Sequence, residues 1–278
     1  MGGAEPATLQ IDDWLEFIHH RCQEARDGEV IPWVSLLEQR FCGFFRVFAR
    51  EINHHMKNVD ELGASYLTFY CPDYPDELRN IEDPPAAITV LGTTALLTAP
   101  KVALIGSRKA SNRALRETRR LANRLADEEI VVVSGGAIGC DRAAHQGCLD
   151  SQRRPVPTIA VMAGGLHQLY PRYNRQVFDQ ILAGGGVLLS ERLCEARPRP
   201  YDFPVRNRLI SGLVHRVLVM EATKRSGAIV TANLALKQGR DVMVLTSDGW
   251  DIRAAGTEQL LTDGARGFQS AEHYLARC

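Results

Sequence analysis

Gly106, Ser107 and Arg108 follow one another at the end of an apolar run, Val102–Ile105, and precede a stretch of helical character. These residue types in this order suit anion binding. Gly106 lets the backbone turn sharply. Ser107 brings a hydroxyl, and the unpaired N–H groups at the start of the next helix attract negative charge. Arg108 can hold a phosphate through two parallel hydrogen bonds.

Comparable residues close the later apolar runs. Gly135, Gly136 and Gly139 follow Ser134, and glycines there permit close backbone approach to a ligand. A dinucleotide fingerprint would place its glycines one strand earlier and an acid where Ser134 stands. No G-x-x-x-x-G-K-[ST] motif occurs. Asp141 and His145 lie four apart on one helix face. With no nucleophile or orienting group in view, they read as a helix-start acid and a packed histidine. Tyr170, Arg172, Tyr173, Asn174 and Arg175 follow the third run; arginine pairs with phosphate and an aromatic face stacks on any base. Pro204 suits a first helical turn, which puts Arg206 and Asn207 near the dipole's positive end. Ser226 and Gly227 open a further helix beside Lys224 and Arg225. Arg113, Arg116 and Arg120 share helical spacing and could line a path for a polyanion rather than one small phosphate.

The elements that must carry these residues alternate. Apolar runs at Val102–Ile105, Ile130–Val133, Thr158–Met162, Gly186–Leu189, Arg216–Met220 and Asp241–Leu245 are separated by helical patterns near 111–127, 138–149, 172–183, 204–213 and 226–238. Continuous Val/Ile/Leu runs mean strands buried on both faces. Alternation with helices predicts an α/β fold, doubly wound on a mostly parallel, Rossmann-like sheet, with ligands at the carboxyl ends of its strands. Residues 1–71 read as a small helical N-terminal region. Ile11, Trp14, Leu15 and Ile18 make one apolar face, and a second periodic stretch runs from Val34 to Ile52 with Phe44 and Phe45 as core. The prolines between 72 and 100 predict an ordered connector that leads into the main domain, 72–278.

Net charge is zero but unevenly spread: residues 1–83 hold 16 acids and 7 bases, residues 84–278 hold 17 and 26. An acidic front and a basic body imply different partners for the two parts. Seven cysteines, an odd count without C-x-x-C spacing, argue against zinc and against a disulfide framework. The absence of a secretory signal, a lipidation motif and a spanning apolar run predicts a cytoplasmic protein.

The motifs, taken in order, resemble the DprA/Smf family (DNA processing protein A). They include Tyr74-Pro75, Asp83-Pro84-Pro85, Gly106-Ser107-Arg108 with Ser111, Ser134-Gly135 with Gly139 and Asp141, Tyr170-Pro171 with Asn174, Leu189-Ser190-Glu191, Phe203-Pro204 with Arg206-Asn207-Arg208, Glu221-Ala222, Ser226-Gly227 and Asp263-Gly264. The resemblance covers roughly residues 72–267. It implies a non-enzymatic protein of natural transformation that needs no cofactor. Such a protein binds and protects incoming single-stranded DNA, works alongside single-strand-binding protein, loads the RecA recombinase and forms a homodimer. It also implies DNA contacts at Gly106, Ser107 and Arg108 and places Arg172, Asn174 and Arg175 near the pocket; Ser111, Gly135, Gly139, Arg206, Asn207, Arg208, Ser226 and Gly227 complete the set of candidate DNA-binding residues. Arg113-Ala114 stands where the family usually has Tyr-Gly. The sequence stops 11 residues after Gly267, so no C-terminal winged helix is expected.

An enzyme is the second reading. The LOG-type nucleoside-monophosphate phosphoribohydrolases carry P-G-G-x-G-T-x-x-E at a corresponding strand end, but Ser226 to Leu236 contains no acid. Glu191 and Glu221 are the strand-end carboxylates left for any chemistry. A scaffold for partner proteins, with an incidental basic face, is the third.

Overall fold

The computed structural model describes residues 54–247, 249 and 251–276. The helices expected before residue 53 lie outside the described residues. Helical backbone covers 54–62, and then a nine-stranded sheet begins. Its strands are β1 (Ser65–Thr68), β2 (Ala87–Gly92), β3 (Lys101–Ile105), β4 (Val131–Ser134), β5 (Thr158–Val161), β6 (Val187–Ser190), β7 (Arg216–Val219), β8 (Asp241–Leu245) and β9 (Arg266–Phe268). Across the sheet the order is β1-β2-β6-β5-β4-β3-β7-β8-β9. The β1–β2 and β2–β6 pairs are antiparallel and the remainder are parallel.

The helices are α1 (Asp76–Arg79), α2 (Asn112–Asp127), α3 (Cys140–Asp150), α4 (Arg175–Ala183), α5 (Asp202–Gly212), α6 (Gly227–Lys237), α7 (Ala255–Thr262) and α8 (Ala271–Leu275). They pack on both faces because strand residues alternate between faces. Ala103 and Ile105 of β3 join one core with Leu209 and Ile210 of α5 and Ala228 and Ala232 of α6. Val102 and Leu104 join the opposite core with Leu121 and Leu125 of α2 and Ala144 of α3. Phe178 and Ile181 of α4 pack over Ala160 and Leu188 in a third cluster. The continuous apolar runs are therefore buried twice over, as their composition requires.

The chain runs outward from β3 through β4, β5 and β6, then returns to β7 on β3's other side. The helix after β3 lies on one face and the helix after β7 on the other. A crevice opens where neighbouring strands send their helices to opposite faces.

Two expectations change. The proline-rich stretch from 72 to 100 carries α1, β2 and a 3-10 turn at Thr94–Leu97 rather than a connector alone. Its prolines flank the β2 segment Ala87–Gly92 and leave the strand interior free to pair. The boundary expected at residue 72 also cuts into the sheet, since β1 lies before it and pairs with β2. Four residues are too few to display periodicity.

Among the described residues no helix is long and apolar enough to cross a membrane. Cys140, Cys148 and Cys194 carry free thiols.

Candidate nucleic-acid interface

A cleft of ≈ 700 Å³ occupies this crevice. It gathers residues from three segments: Gly106, Ser107 and Arg108 after β3, Arg206 and Asn207 in α5, and Ser226 and Gly227 at the start of α6. Lys109, Phe203, Pro204 and Thr223 also line it. Among the described residues its charges are Arg108, Lys109 and Arg206 against the single carboxylate of Asp141.

The turn after β3 is held by its neighbours. Ser107 donates its N–H to the Glu221 carbonyl at 2.7 Å, which ties the end of β3 to the end of β7. The Ser107 carbonyl accepts from Cys140 N–H at 3.2 Å, which brings in the start of α3. A Cβ on Gly106 would lie 2.5 Å from the Cys140 Sγ, so only glycine admits α3 this close. Gly139 has φ +84°, and a Cβ there would sit 2.3 Å from the Ser107 carbonyl. These two glycines fit α3 closely against the turn. With the backbone fixed, the Arg108 side chain remains exposed, its guanidinium 5.6 Å from the centroid of the Phe203 ring. Tyr170 meets Phe203 edge-on at 5.8 Å.

On the cleft's other wall, the Ser226 hydroxyl accepts from Ile229 N–H at 3.4 Å and caps α6. The remaining N–H groups of that first turn are unpaired within the helix, and Gly227 presents no Cβ to cover them. Asn207 Nδ2 donates to the Gly227 carbonyl at 3.4 Å and links the α5 and α6 walls.

The floor is a buried charged cluster. Arg206 donates to the carbonyls of Gly135, at 2.7 Å, and Val161. Burial pulls its guanidinium down to about 10, with Asp141 acting the other way. Burial raises the Asp141 carboxyl, and Arg206 opposes the shift. Asp141 accepts from Ala137 N–H at 3.2 Å. His145 instead pairs its Nδ1 with the Thr158 hydroxyl at 2.8 Å, and burial followed by the Arg206 charge lowers it to about 3. Asp141 and His145 thus serve separate partners.

Several residues expected at the ligand stand elsewhere. Arg208 turns away and pairs with Asp83 at 2.9 Å and with both oxygens of Glu191, at 3.0 and 2.6 Å. Two residues apart on a helix is about 200° of rotation, so Arg206 and Arg208 cannot both face the cleft. Asn174 is buried and donates to the Gly136 and Ala137 carbonyls at 2.8 and 3.0 Å, which braces the glycine-rich loop. Arg175 pairs with Asp179 of its own helix at 2.9 Å. Arg172 is exposed on a 3-10 turn outside the cleft lining. Ser111 caps α2 by accepting from Ala114 N–H at 3.1 Å. Gly135 lies between Arg206 and Asp141 without lining the cleft. Of the basic series on α2, Arg113 bonds the Thr246 carbonyl at 2.7 Å and Arg120 pairs with Glu272 at 2.6 Å. Lys109, Phe203 and Thr223 were not expected as lining. Phe203 carried a signal, since it directly precedes a helix-opening proline beside the Arg206-Asn207 pair.

The basic cleft with its aromatic wall thus stands at strand ends of a mostly parallel α/β sheet. The model for DNA recombination-mediator protein A matches residues 65–278, and the chain belongs to this DprA/Smf family. It is 35% identical over 213 residues to DNA processing protein DprA of Bacillus subtilis, covering 76% of this chain and 70% of that one. It is 36% identical over 231 residues to the Streptococcus pneumoniae DprA, covering 83% and 79%. The solved structure of the Streptococcus pneumoniae protein superposes with a TM-score of 0.74 at 30% identity, over 96% of this chain and 86% of that one. That of the Helicobacter pylori protein, described for its single-stranded DNA binding mode, gives 0.69 at 32% identity over 77% and 94%.

Proposed function

We infer that this protein binds single-stranded DNA in the cleft at the ends of β3 and β7, as a non-catalytic member of its family. The parallel section of the sheet is then a doubly wound, Rossmann-like layer whose strand ends host the ligand. The observation that carries this reading is the exposed Arg108 guanidinium over the Phe203 ring, in a cleft that the start of α6 also lines. It offers a phosphate a charge-assisted contact and a base an aromatic face within one cleft. The Helicobacter pylori relative's single-stranded DNA binding mode supports the same assignment.

In the cell the protein acts in DNA uptake and natural transformation. It protects incoming strands in the cytoplasm alongside single-strand-binding protein and helps load RecA, as a homodimer. The partners of the two strand-end carboxylates support the non-catalytic reading: Glu191 is held by Arg208, and Glu221 Oε1 accepts from Ser111 N–H at 2.9 Å.

A fluorescence-anisotropy titration with oligo-dT, the same-length duplex and RNA tests the assignment. Tight, salt-sensitive binding that prefers the single strand is expected. Equal affinity for duplex, or release of base from nucleoside monophosphates at catalytic rates, would overturn it.

A further inference from the structure

A second groove, ≈ 820 Å³, runs between α2 and α3 and meets the cleft at Arg108 and Lys109. Arg116 and Arg119 line it from α2, Arg142 from α3, and Tyr173 from the turn before α4. Among the described residues no carboxylate lines it. Arg119 is engaged by Asp150 at 2.5 Å. The side chains of Lys109 and Arg116 have no hydrogen-bond or ion-pair partner among the described residues, and both are exposed. The Arg142 guanidinium lies 4.8 Å from the centroid of the Tyr173 ring, and Tyr173 is 73% exposed.

Cations gathered on one concave surface without acids create a positive potential that favours an anion. Arg116 and Arg119, three apart on α2, are adjacent along the helix surface and so follow the groove. The exposed ring of Tyr173, backed by a guanidinium, is a stacking platform for a planar base. Solvated surface arginines commonly find acids, as Arg119 finds Asp150; Arg142 instead meets the face of the Tyr173 ring.

We propose that this groove is a second binding segment for single-stranded DNA. A strand held in the cleft passes Arg108, enters between α2 and α3, sets phosphates against Lys109 and Arg116, and stacks a base on Tyr173. The proposal rests on the cleft being the primary single-stranded DNA site, and it makes the footprint longer than the cleft alone.

The test compares a short oligo-dT of about 5 nucleotides with one of about 20, lengths on either side of common single-strand site sizes. Wild type is expected to bind the longer strand more tightly and with a steeper salt dependence. Tyr173→Ala and Arg142→Ala are expected to weaken the longer oligonucleotide by about tenfold and the shorter by less than twofold. Tyr173→Phe keeps the ring and is expected to retain full binding of the longer one. Arg108→Ala weakens both. The groove assignment is overturned if Tyr173→Ala and Arg142→Ala leave the longer oligonucleotide unaffected, or weaken both lengths by the same factor. If wild type binds neither oligonucleotide, the cleft assignment falls first and the groove with it.

Discussion

Arg206 donates to the Gly135 carbonyl at 2.7 Å from across the sheet edge, and a Cβ at Gly135 would come within 2.8 Å of its Nη2. A cation rooted in α5 thus clasps the end of β4, and through Val161 the end of β5 as well. The floor of the cleft is this clasp, and the exposed Arg108 stands above it.

Removing the clasp should unfold the floor. Arg206→Met leaves buried carbonyls unpaired and Asp141 uncompensated, and losing one partner of a buried charge pair typically costs about 3–5 kcal/mol. Arg206→Lys is expected to destabilise too, because a single ammonium on a shorter stem cannot keep both the Nη1 contacts to the two carbonyls and the Nε contact to Asn207 Oδ1. Urea denaturation measures both; full stability in the Lys variant would show that charge alone suffices.

Arg108→Ala should separate binding from stability. Its side chain is exposed, so unfolding free energy is expected to change by no more than about 0.5 kcal/mol. Affinity for oligo-dT should fall by about 1–3 kcal/mol, with the salt slope reduced by about one. An unaltered anisotropy curve would remove Arg108 from the site.

Gly139→Ala should fail through strain. The φ of +84° disfavours a side chain, and its Cβ would strike the Ser107 carbonyl at 2.3 Å. Thermal melting is expected to show a loss of at least about 2 kcal/mol. A Gly227→Ala variant, whose Cβ meets nothing within 4 Å, serves as the comparison and should melt close to wild type.

His145 should make part of the stability acid-sensitive. Its folded value is lowered from 6.5 to about 3 by burial and by Arg206. Between those values the unfolded chain binds a proton that the folded one does not. Stability therefore rises with pH across that window, by at most about 1.4 kcal/mol per pH unit, and the contribution is lost as pH falls toward 3. Asp141, raised by burial, acts in the opposite sense as pH rises above its ordinary carboxylate value of 3.8. The difference between wild type and His145→Gln in urea melts from pH 4 to pH 7 isolates the histidine. A difference independent of pH would mean His145 titrates alike in both states.

The six central strands and five main helices were legible because long apolar runs and helical spacing are local properties. Strand β3 begins one residue before the expected Val102, at a Lys101 whose charge is met by Glu77 at 2.6 Å. Strands β1 and β9, four and three residues long, carry too little pattern to be read. At the site, Gly106, Ser107, Arg108, Arg206, Asn207, Ser226 and Gly227 were expected together and meet in one cleft. Arg175, Arg208 and Asn174 were expected with them and are committed to other partners.

Composition and spacing along the chain were sufficient for the α/β alternation, for the strand ends as the place to look, and for an anion as the thing to look for. They could not distinguish a guanidinium that faces a ligand from one that braces the floor or closes an ion pair. Arg108, Arg206 and Arg208 have the same chemistry, and each direction was chosen by helix rotation and by acids or carbonyls brought near from distant segments. That choice is a property of packing: a charged side chain goes where its desolvation is best compensated, and those partners are neighbours only once the sheet has formed.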